Sequence, residues 1–427
     1  MMVESREGEV KSLHPNDVFT PGKLPIRPGN VYASRGEAEK DFNKALSRGL
    51  VPLVYGEYGV GKTSMARYSV RGDDERGKLV NIESAADKTM RDIFSRCLEK
   101  IGYTIQMKRT TGSSEAASVE ESGGAEASIT GIKSLIAYKR GKTATATEQQ
   151  EEQLVVTSPT DSKIIEICET EGLILIIDEV HRSTSNFLDE LAKFLKAYGN
   201  ANCRRFRIVL LGTSSDATRL VRRDPGIDRL IQEVPLQAMS EEEARYVVLT
   251  GMNALGIRFY SGGVDKLIKS SVGSPNILQY LCLETAEAAH ARAPKMATEG
   301  DVAHALSEYI ERKEARLYGM YKKGIETVGP VKYRKQILRA VAEAEDEYVT
   351  MEEIRSRVSV YRGKEVPSSS LSGPLRELKD TRFGPLLSDV DRPGGDGRVM
   401  NYSTFVDASL KAFIRMQVMR EEDAKEK

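Results

Sequence analysis

Short, wholly apolar runs punctuate the first half of the chain. Three of them, residues 51–55, 173–177 and 208–211, have the composition of strands that are buried on both faces. Runs at 78–82 and 230–234 predict two further strands. Segments with helical periodicity separate these runs, so the pattern predicts an α/β fold with a three-layer parallel sheet.

Beyond residue 240 the apolar positions follow a helical period. Ser240 with Glu243 forms a capping box, and the pattern stays helical to about residue 319, which predicts a helical lid. After an expected linker at 318–331, helices are predicted at 333–344, from Thr350, and at 368–380. Strands at 386–390 and 399–405 flank a tight loop. This order of elements predicts a winged-helix domain.

The intervening segment 104–160 differs in composition, being rich in Thr, Ser, Gly, Ala and Glu. Loose alternation at 128–147 predicts a β-ribbon, and a solvated surface excursion is the alternative. We therefore expect an extended arm at 1–30, a core at 31–238 that contains the 104–160 insertion, a lid at 239–318 and a winged helix at 319–427.

Composition narrows the classes of function. No apolar run is long enough to span a membrane, and no signal peptide is evident, so we expect no membrane partner. The cysteines are scattered without a C-x-x-C spacing, which disfavours a zinc site and favours a reducing cytoplasm: Cys97, Cys168, Cys203 and Cys282. The 63 basic and 63 acidic residues balance, so any attraction to nucleic acid must come from a local patch.

The strongest chemical signal is Gly56-x-x-x-x-Gly61-Lys62-Thr63, placed between a predicted strand and a predicted helix. Glycines let backbone amides turn toward phosphate oxygens, a lysine adds a positive charge, and a threonine hydroxyl can bind Mg²⁺. The expected nucleotide contacts are Gly56, Glu57, Tyr58, Gly59, Val60, Gly61, Lys62, Thr63 and Ser64. Because no guanine-selecting Asn-Lys-x-Asp stretch occurs, the expected cofactors are ATP and Mg²⁺.

An acidic pair, Asp178-Glu179, ends the apolar run at 173–177. Downstream of a phosphate-binding loop, such a pair predicts a Walker B element. We expect Asp178 to hold Mg²⁺ with Thr63, and Glu179 to deprotonate the attacking water.

Together, the loop at 56–63, the pair at 178–179 and polar Thr213 after the next strand resemble the AAA+ ATPases. The resemblance is closer to the branch of replication-initiator and origin-recognition ATPases, transposon ATP-binding subunits and archaeal or STAND-type ATPases. It covers about residues 30–420, and it implies ATP hydrolysis within a homo-oligomer.

The resemblance also implies roles for further residues. Thr213 would sense the γ-phosphate, with a turn-forming threonine as the alternative. An arginine would act on the neighbouring subunit, with Arg229 preferred over Arg222 and Arg223. No sensor arginine follows Gly273-Ser274-Pro275, and Pro275 would pack on the nucleotide base, as in STAND-type ATPases.

Two functions therefore remain open. The first is an ATP-hydrolysing machine that assembles on DNA. The second is a STAND-like switch that binds a protein partner with little turnover. Basic residues of the winged helix could contact DNA, although acidic residues are interleaved with them: Arg376, Lys379, Arg382, Arg392 and Arg398. The ribbon has a basic tip suited to phosphates: Lys133, Tyr138, Lys139, Arg140 and Lys142.

Overall fold

The computed structural model describes residues 13–25, 27, 29–76, 78–85, 87–105, 154–156, 160–260, 262–326, 333–383, 385–393 and 399–426. The chain divides into two compact units. We call Lys40–Tyr55 with Ser69–Pro235 the sheet unit, and Met1–Glu39 with Gly56–Tyr68 and Leu236–Lys427 the helical unit. The ribbon predicted at 128–147, with its basic tip, lies outside the described residues.

The strands are short, and most of them follow the apolar runs in the sequence. They are β1 (Val51–Tyr55), β2 (Leu79–Glu83), β3 (Tyr103–Ile105), β4 (Leu154–Val156), β5 (Ile174–Asp178), β6 (Arg207–Gly212), β7 (Ile231–Pro235), β8 (Arg258–Phe259), β9 (Met296–Ala297), β10 (Leu387–Pro393) and β11 (Val399–Phe405).

The α-helices lie between these strands and fill most of the second half of the chain. They are α1 (Pro15–Val18), α2 (Gly36–Ser47), α3 (Lys62–Ser69), α4 (Arg71–Glu75), α5 (Met90–Lys100), α6 (Asp161–Glu171), α7 (Ser185–Ala201), α8 (Ser214–Val221), α9 (Glu241–Ala254), α10 (Gly263–Ser271), α11 (Pro275–His290), α12 (Glu299–Glu308), α13 (Ala315–Ile325), α14 (Arg334–Ala342), α15 (Met351–Arg362), α16 (Ser368–Lys379) and α17 (Ser409–Glu426). Among the described residues, no helix is long and apolar enough to cross a membrane.

The sheet unit is built on a five-stranded parallel sheet in the order β2-β5-β6-β1-β7. The middle of this sheet is buried because its strands are apolar at nearly every position, and β5 has no exposed residue. The register pairs Ile177 of β5 with Leu210 of β6, and Gly212 of β6 with Tyr55 of β1. The carboxyl ends of β5, β6 and β1 therefore lie side by side at one edge of the sheet.

Local signals set the ends of the helices in the sheet unit. Thr89 caps α5 in a capping box with Asp92, and Thr184 caps α7 through the amide of Phe187. Gly172 ends α6 in the left-handed conformation, which turns the chain into β5. The buried faces of α5, α6 and α7 share one apolar core with the sheet.

In the helical unit, α9 to α13 and the C-terminal elements share a single apolar core. The expected capping box of Ser240 with Glu243 starts α9. A second box, Thr298 with Asp301, starts α12. Burial alone would raise the pKa of Asp301, but hydrogen bonds from Arg292 and Thr298 outweigh it and hold the pKa below its usual value.

The C-terminal elements follow the predicted order of three helices and a hairpin. Helices α14, α15 and α16 pack on one another through apolar positions such as Ile337, Ile354 and Leu371. Strands β10 and β11 pair antiparallel from Leu387 opposite Phe405 to Pro393 opposite Val399. The tip of this hairpin, with Arg398, lies outside the described residues.

Three segments differ from the sequence expectation. The extended N-terminal arm contains α1, because Pro15 starts a helical turn whose Val18 is buried. The prediction of a linker at 318–331 was wrong for the residues up to Ile325, because α13 runs to that residue and buries Leu317 and Tyr321. The last helix, α17, was not predicted, although its buried Leu410, Phe413 and Ile414 have helical spacing.

Candidate functional site

The loop between β1 and α3 contains two glycines with a left-handed backbone. Gly59 and Gly61 have φ of 81° and 95°, in the left-handed region that favours glycine. Gly56 is needed for a different reason, since a Cβ there would lie 2.0 Å from the backbone oxygen of Leu236. The loop is half-buried, and the side chain of Tyr58 is exposed.

Lys62, the first residue of α3, is held by the loop itself. Its Nζ donates to the backbone oxygens of Gly56, at 2.9 Å, and Glu57, at 3.1 Å. Thr63 and Ser64 follow in the first turn of α3, where amide groups and the helix dipole favour an anion. The glycine conformations, the lysine and the helix N-terminus together fit the phosphates of a nucleotide.

Two residues from distant parts of the helical unit contact this loop. Pro275, the first residue of α11, lies beside Gly61, where an added Cβ would be 3.3 Å from its Cγ. Arg35 is buried and donates from Nη1 to the Val60 oxygen at 2.7 Å. Its Nη2 donates to the Gln237 oxygen at 2.7 Å. Pro275 was predicted from the sequence as a nucleotide contact. Arg35 was not predicted, because a single arginine ahead of α2 forms no recognisable motif.

The side chain of Glu57 is also held within the helical unit. Its Oε1 accepts a hydrogen bond from Lys411 Nζ, and its Oε2 lies 3.5 Å from Arg415 Nη1. Both cations lie on α17, the helix that the sequence analysis did not predict. The sequence indicated Glu57 as a loop residue and contained no sign of its partners.

In the sheet unit, Asp178 is the last residue of β5, and its side chain is buried. Its Oδ1 accepts from the amide of Glu179 at 2.8 Å. Its backbone oxygen accepts a hydrogen bond from the amide of Ser84, just after β2, at 2.8 Å. The carboxylate of Asp178 therefore lies at the carboxyl edge of the sheet.

Glu179 has a left-handed backbone, with φ 57° and ψ 37°. A non-glycine residue in this region is strained, which is common at functional sites. Its Oε2 lies 3.1 Å from His181 Nε2 and 3.2 Å from Arg182 Nε. Ser84 Oγ donates to its backbone oxygen at 3.2 Å, so the turn after β5 is anchored to β2.

Thr213 follows β6 and caps α8. Its amide and its hydroxyl both donate to Asp216 Oδ2, at 2.7 and 3.1 Å. Asp216 is fully buried and pairs through Oδ1 with Arg219 at 2.8 Å. Arg219 also donates to the backbone oxygen of His181 at 3.4 Å, so the turns after β5 and β6 are brought together.

The candidate arginines for a neighbouring subunit differ in their contacts. Arg223 pairs with Asp189 at 2.7 Å and donates to Ser185 Oγ at 2.7 Å. Arg222 and Arg229 are exposed and make no ion pair with any described residue. Arg229 lies in the 3-10 helix Pro225–Leu230, just before β7.

Among the described residues, no group of three or more His, Cys, Asp or Glu could hold a metal ion unaided. Mg²⁺ is commonly bound by one or two protein ligands together with phosphate oxygens and water. Thr63 and Asp178 are of the right chemical type for that kind of binding.

Comparison with protein families gives a match that lies mostly in the first half of the chain. A family model described as "AAA domain" matches residues 46–221, from the end of α2 to the end of α8. This part of the chain matches the AAA domain family. None of the curated proteins matches the chain.

Solved structures similar to this chain span nearly its full length at low identity. The Walker-type ATPase PABY2304 of Pyrococcus abyssi is 16% identical with a TM-score of 0.48, over 92% of this chain and 99% of that one. The ORC2 protein of Aeropyrum pernix is 16% identical with a TM-score of 0.45, over 95% and 100%. The ORC1 protein of Aeropyrum pernix, in complex with DNA, is 15% identical with a TM-score of 0.42, over 94% and 97%.

Proposed function

We propose that this chain binds Mg·ATP and hydrolyses it, and that it oligomerises and couples its nucleotide state to DNA or to DNA-bound partners. The observation that carries the proposal is the order β5-β6-β1 within the parallel sheet. The strand β1 leads into the glycine loop, β6 into Thr213, and β5 into Asp178 and Glu179. Ligands of open parallel sheets bind outside the carboxyl ends of the strands.

Different residues of the proposed site would bind the phosphates, hold Mg²⁺ and activate the attacking water. Loop amides from Gly56 to Thr63 would hold the phosphates, and Lys62 would add its positive charge. Thr63 and Asp178 would hold Mg²⁺, which when bound neutralises charge that develops on the phosphates. Glu179 would orient and deprotonate the attacking water.

The contacts of Glu179 add a requirement to this role. Its Oε2 lies 3.1 Å from His181 Nε2 and 3.2 Å from Arg182 Nε, so this oxygen already has two side-chain contacts before a water molecule binds. We infer that hydrolysis needs these contacts to loosen. Such a requirement is consistent with slow or partner-stimulated turnover.

Further residues are proposed to complete the site. Thr213 would contact the γ-phosphate, although its hydroxyl donates to Asp216 in this structure. Pro275 would pack on the base. Arg229 would reach the nucleotide of a neighbouring subunit, and it suits this role better than Arg223, whose guanidinium already binds Asp189.

The C-terminal elements are proposed to form a winged helix that contacts a partner, and helices α9 to α13 to form the lid. Contact with DNA would require unpaired positive charge. Lys379 instead pairs with Asp389, and Arg382 pairs with Asp380. Arg376, on the exposed face of α16, is the basic residue of this helix that faces solvent.

That internal neutralisation favours the second candidate function, a STAND-like switch that binds a protein partner. The two functions differ in turnover. A machine that acts on DNA shows ATP hydrolysis that duplex or single-stranded DNA stimulates over many turnovers, whereas a switch does not.

The deciding experiment is an ATPase assay with and without each form of DNA, with light scattering to follow assembly. DNA-stimulated hydrolysis together with a larger particle in ATP supports the machine. Saturable ATP binding without DNA stimulation supports the switch. Absence of ATP binding would remove both.

A further inference from the structure

The phosphate-binding loop is connected to the C-terminal helix through the side chain of Glu57. This carboxylate is the only acidic side chain that Lys411 and Arg415 contact among the described residues. The two cations are four residues apart, so they project from the same face of α17. They reach the two different oxygens of Glu57, Lys411 reaching Oε1 and Arg415 reaching Oε2.

Both cations are themselves held by backbone oxygens of the last residue of α14 and of the residues that follow it. Lys411 Nζ donates to the oxygens of Glu345, at 3.3 Å, and Asp346, at 3.1 Å. Arg415 donates from Nε to Ala342 and from Nη2 to Ala344, the latter at 3.0 Å. These backbone contacts hold the two cations in position independently of Glu57.

Lys411 depends on Glu57 in turn. An ammonium has three hydrogens to donate, and the three acceptors of Lys411 are Glu57 and the oxygens of Glu345 and Asp346. The lysine is only 7% exposed, and burial lowers its pKa while Glu57 acts to raise it. Without Glu57, this buried positive charge would lose the one ion pair that it makes with a described residue, which is costly.

The same residue, Glu57, also sets the position of the phosphate-binding lysine. Lys62 Nζ donates to the backbone oxygens of Gly56 and Glu57. The contacts therefore run from Lys62 to the backbone of Glu57, and from the Glu57 side chain to Lys411 and Arg415.

We propose that α17, through Lys411 and Arg415, is a positioning element of the nucleotide site. It fixes Glu57, and through Glu57 the carbonyl that orients Lys62. The inference rests on the proposed function, since Lys62 is taken to bind phosphate. Because coupling between two sites is reciprocal, a partner that displaces α17 lowers nucleotide affinity, and nucleotide strengthens the docking of α17.

The test is a double-mutant cycle with Glu57→Ala, Lys411→Met and the two together. The first readout is the affinity for a non-hydrolysable ATP analogue with Mg²⁺. We expect each single variant to bind the analogue about tenfold more weakly than the wild type. The double variant should bind at most about twofold more weakly than the weaker-binding single variant. Lys335→Met is the matched control, because it removes another ion pair of α17, the one to Glu421.

The second readout is hydrogen exchange of residues 56–63 in the nucleotide-free protein. We expect Lys411→Met to speed exchange in this loop, and Lys335→Met to leave it unchanged. Thermal melts check that each variant is folded. If Lys411→Met does not fold, the affinity and exchange of Glu57→Ala are used instead. The Glu57 side chain is 32% exposed, so its removal disturbs the core less.

The outcomes separate the two proposals. Additive effects on affinity, or unchanged loop exchange in both single variants, would overturn the positioning role of α17. A wild-type protein that binds no Mg·ATP would instead overturn the proposed function, while the exchange experiment still reports whether α17 holds the loop.

Discussion

Replacing Arg35 by lysine tests how the loop between β1 and α3 is held by the residue that precedes α2. The guanidinium donates to the oxygens of Val60 and Gln237, each at 2.7 Å, and its Nε lies 3.3 Å from Glu243. A lysine offers one nitrogen in place of three, so it cannot reproduce this fork.

The expected cost follows from those contacts. Losing one hydrogen bond from a charged donor costs about 1.5–3 kcal/mol, and more if the carbonyl is left buried without a partner. We take about 2 kcal/mol, which corresponds to a drop in Tm of roughly 4–8 °C for a domain of about 150–250 residues. Because the Val60 carbonyl belongs to the loop, we also expect ATP affinity to fall about tenfold, or about 1.4 kcal/mol.

The assay combines thermal melts with ATP titration. Arg316→Lys is the control, since Arg316 makes an exposed ion pair with Asp407, for which at most about 1 kcal/mol is expected. If Arg35→Lys matched the wild type in both Tm and ATP affinity, the loop would not depend on this fork, and the reasoning would be wrong.

Three further outcomes follow from the account. Lys62→Ala should abolish ATP binding, measured by titration, with a free energy of unfolding within about 1 kcal/mol of wild type, and retained affinity would contradict the role of Lys62. Glu179→Gln should bind ATP, fail to hydrolyse it and accumulate as an oligomer in light scattering, and unchanged hydrolysis would remove Glu179 from its role. The pKa of Asp301 is lowered by hydrogen bonds, so its carboxylate stabilises the fold above its unfolded pKa and this contribution is lost as pH falls through the lower, folded value. Asp301→Asn should therefore lower Tm at neutral pH, with a deficit that shrinks below about pH 4, and a constant deficit would contradict this.

The sheet and the loop could be predicted because their signals are local. Strands buried on both faces need unbroken apolar runs, and a phosphate-binding loop needs glycines at fixed spacing, so β1, β5 and β6 were predicted to within one or two residues. Capping boxes such as Ser240 with Glu243 are equally local, and that one was confirmed.

The supports of the loop could not be predicted, because they join positions far apart in the chain. Arg35 is 202 residues from Gln237, and Lys411 is 354 residues from Glu57. Only the packing of the helical unit brings these side chains to the loop. The left-handed backbone of Glu179 could not be predicted either, because an acidic residue after an apolar run is typical of an ordinary strand end.

The account depends most on the loop and Asp178 acting on one ligand, Mg·ATP. The most direct measurement is ATP affinity with Mg²⁺ and with EDTA, for the wild type and for Asp178→Asn. The account predicts that Mg²⁺ tightens ATP binding to the wild type and has much less effect on Asp178→Asn. An equal effect of Mg²⁺ on both proteins, or no ATP binding by the wild type, would contradict it.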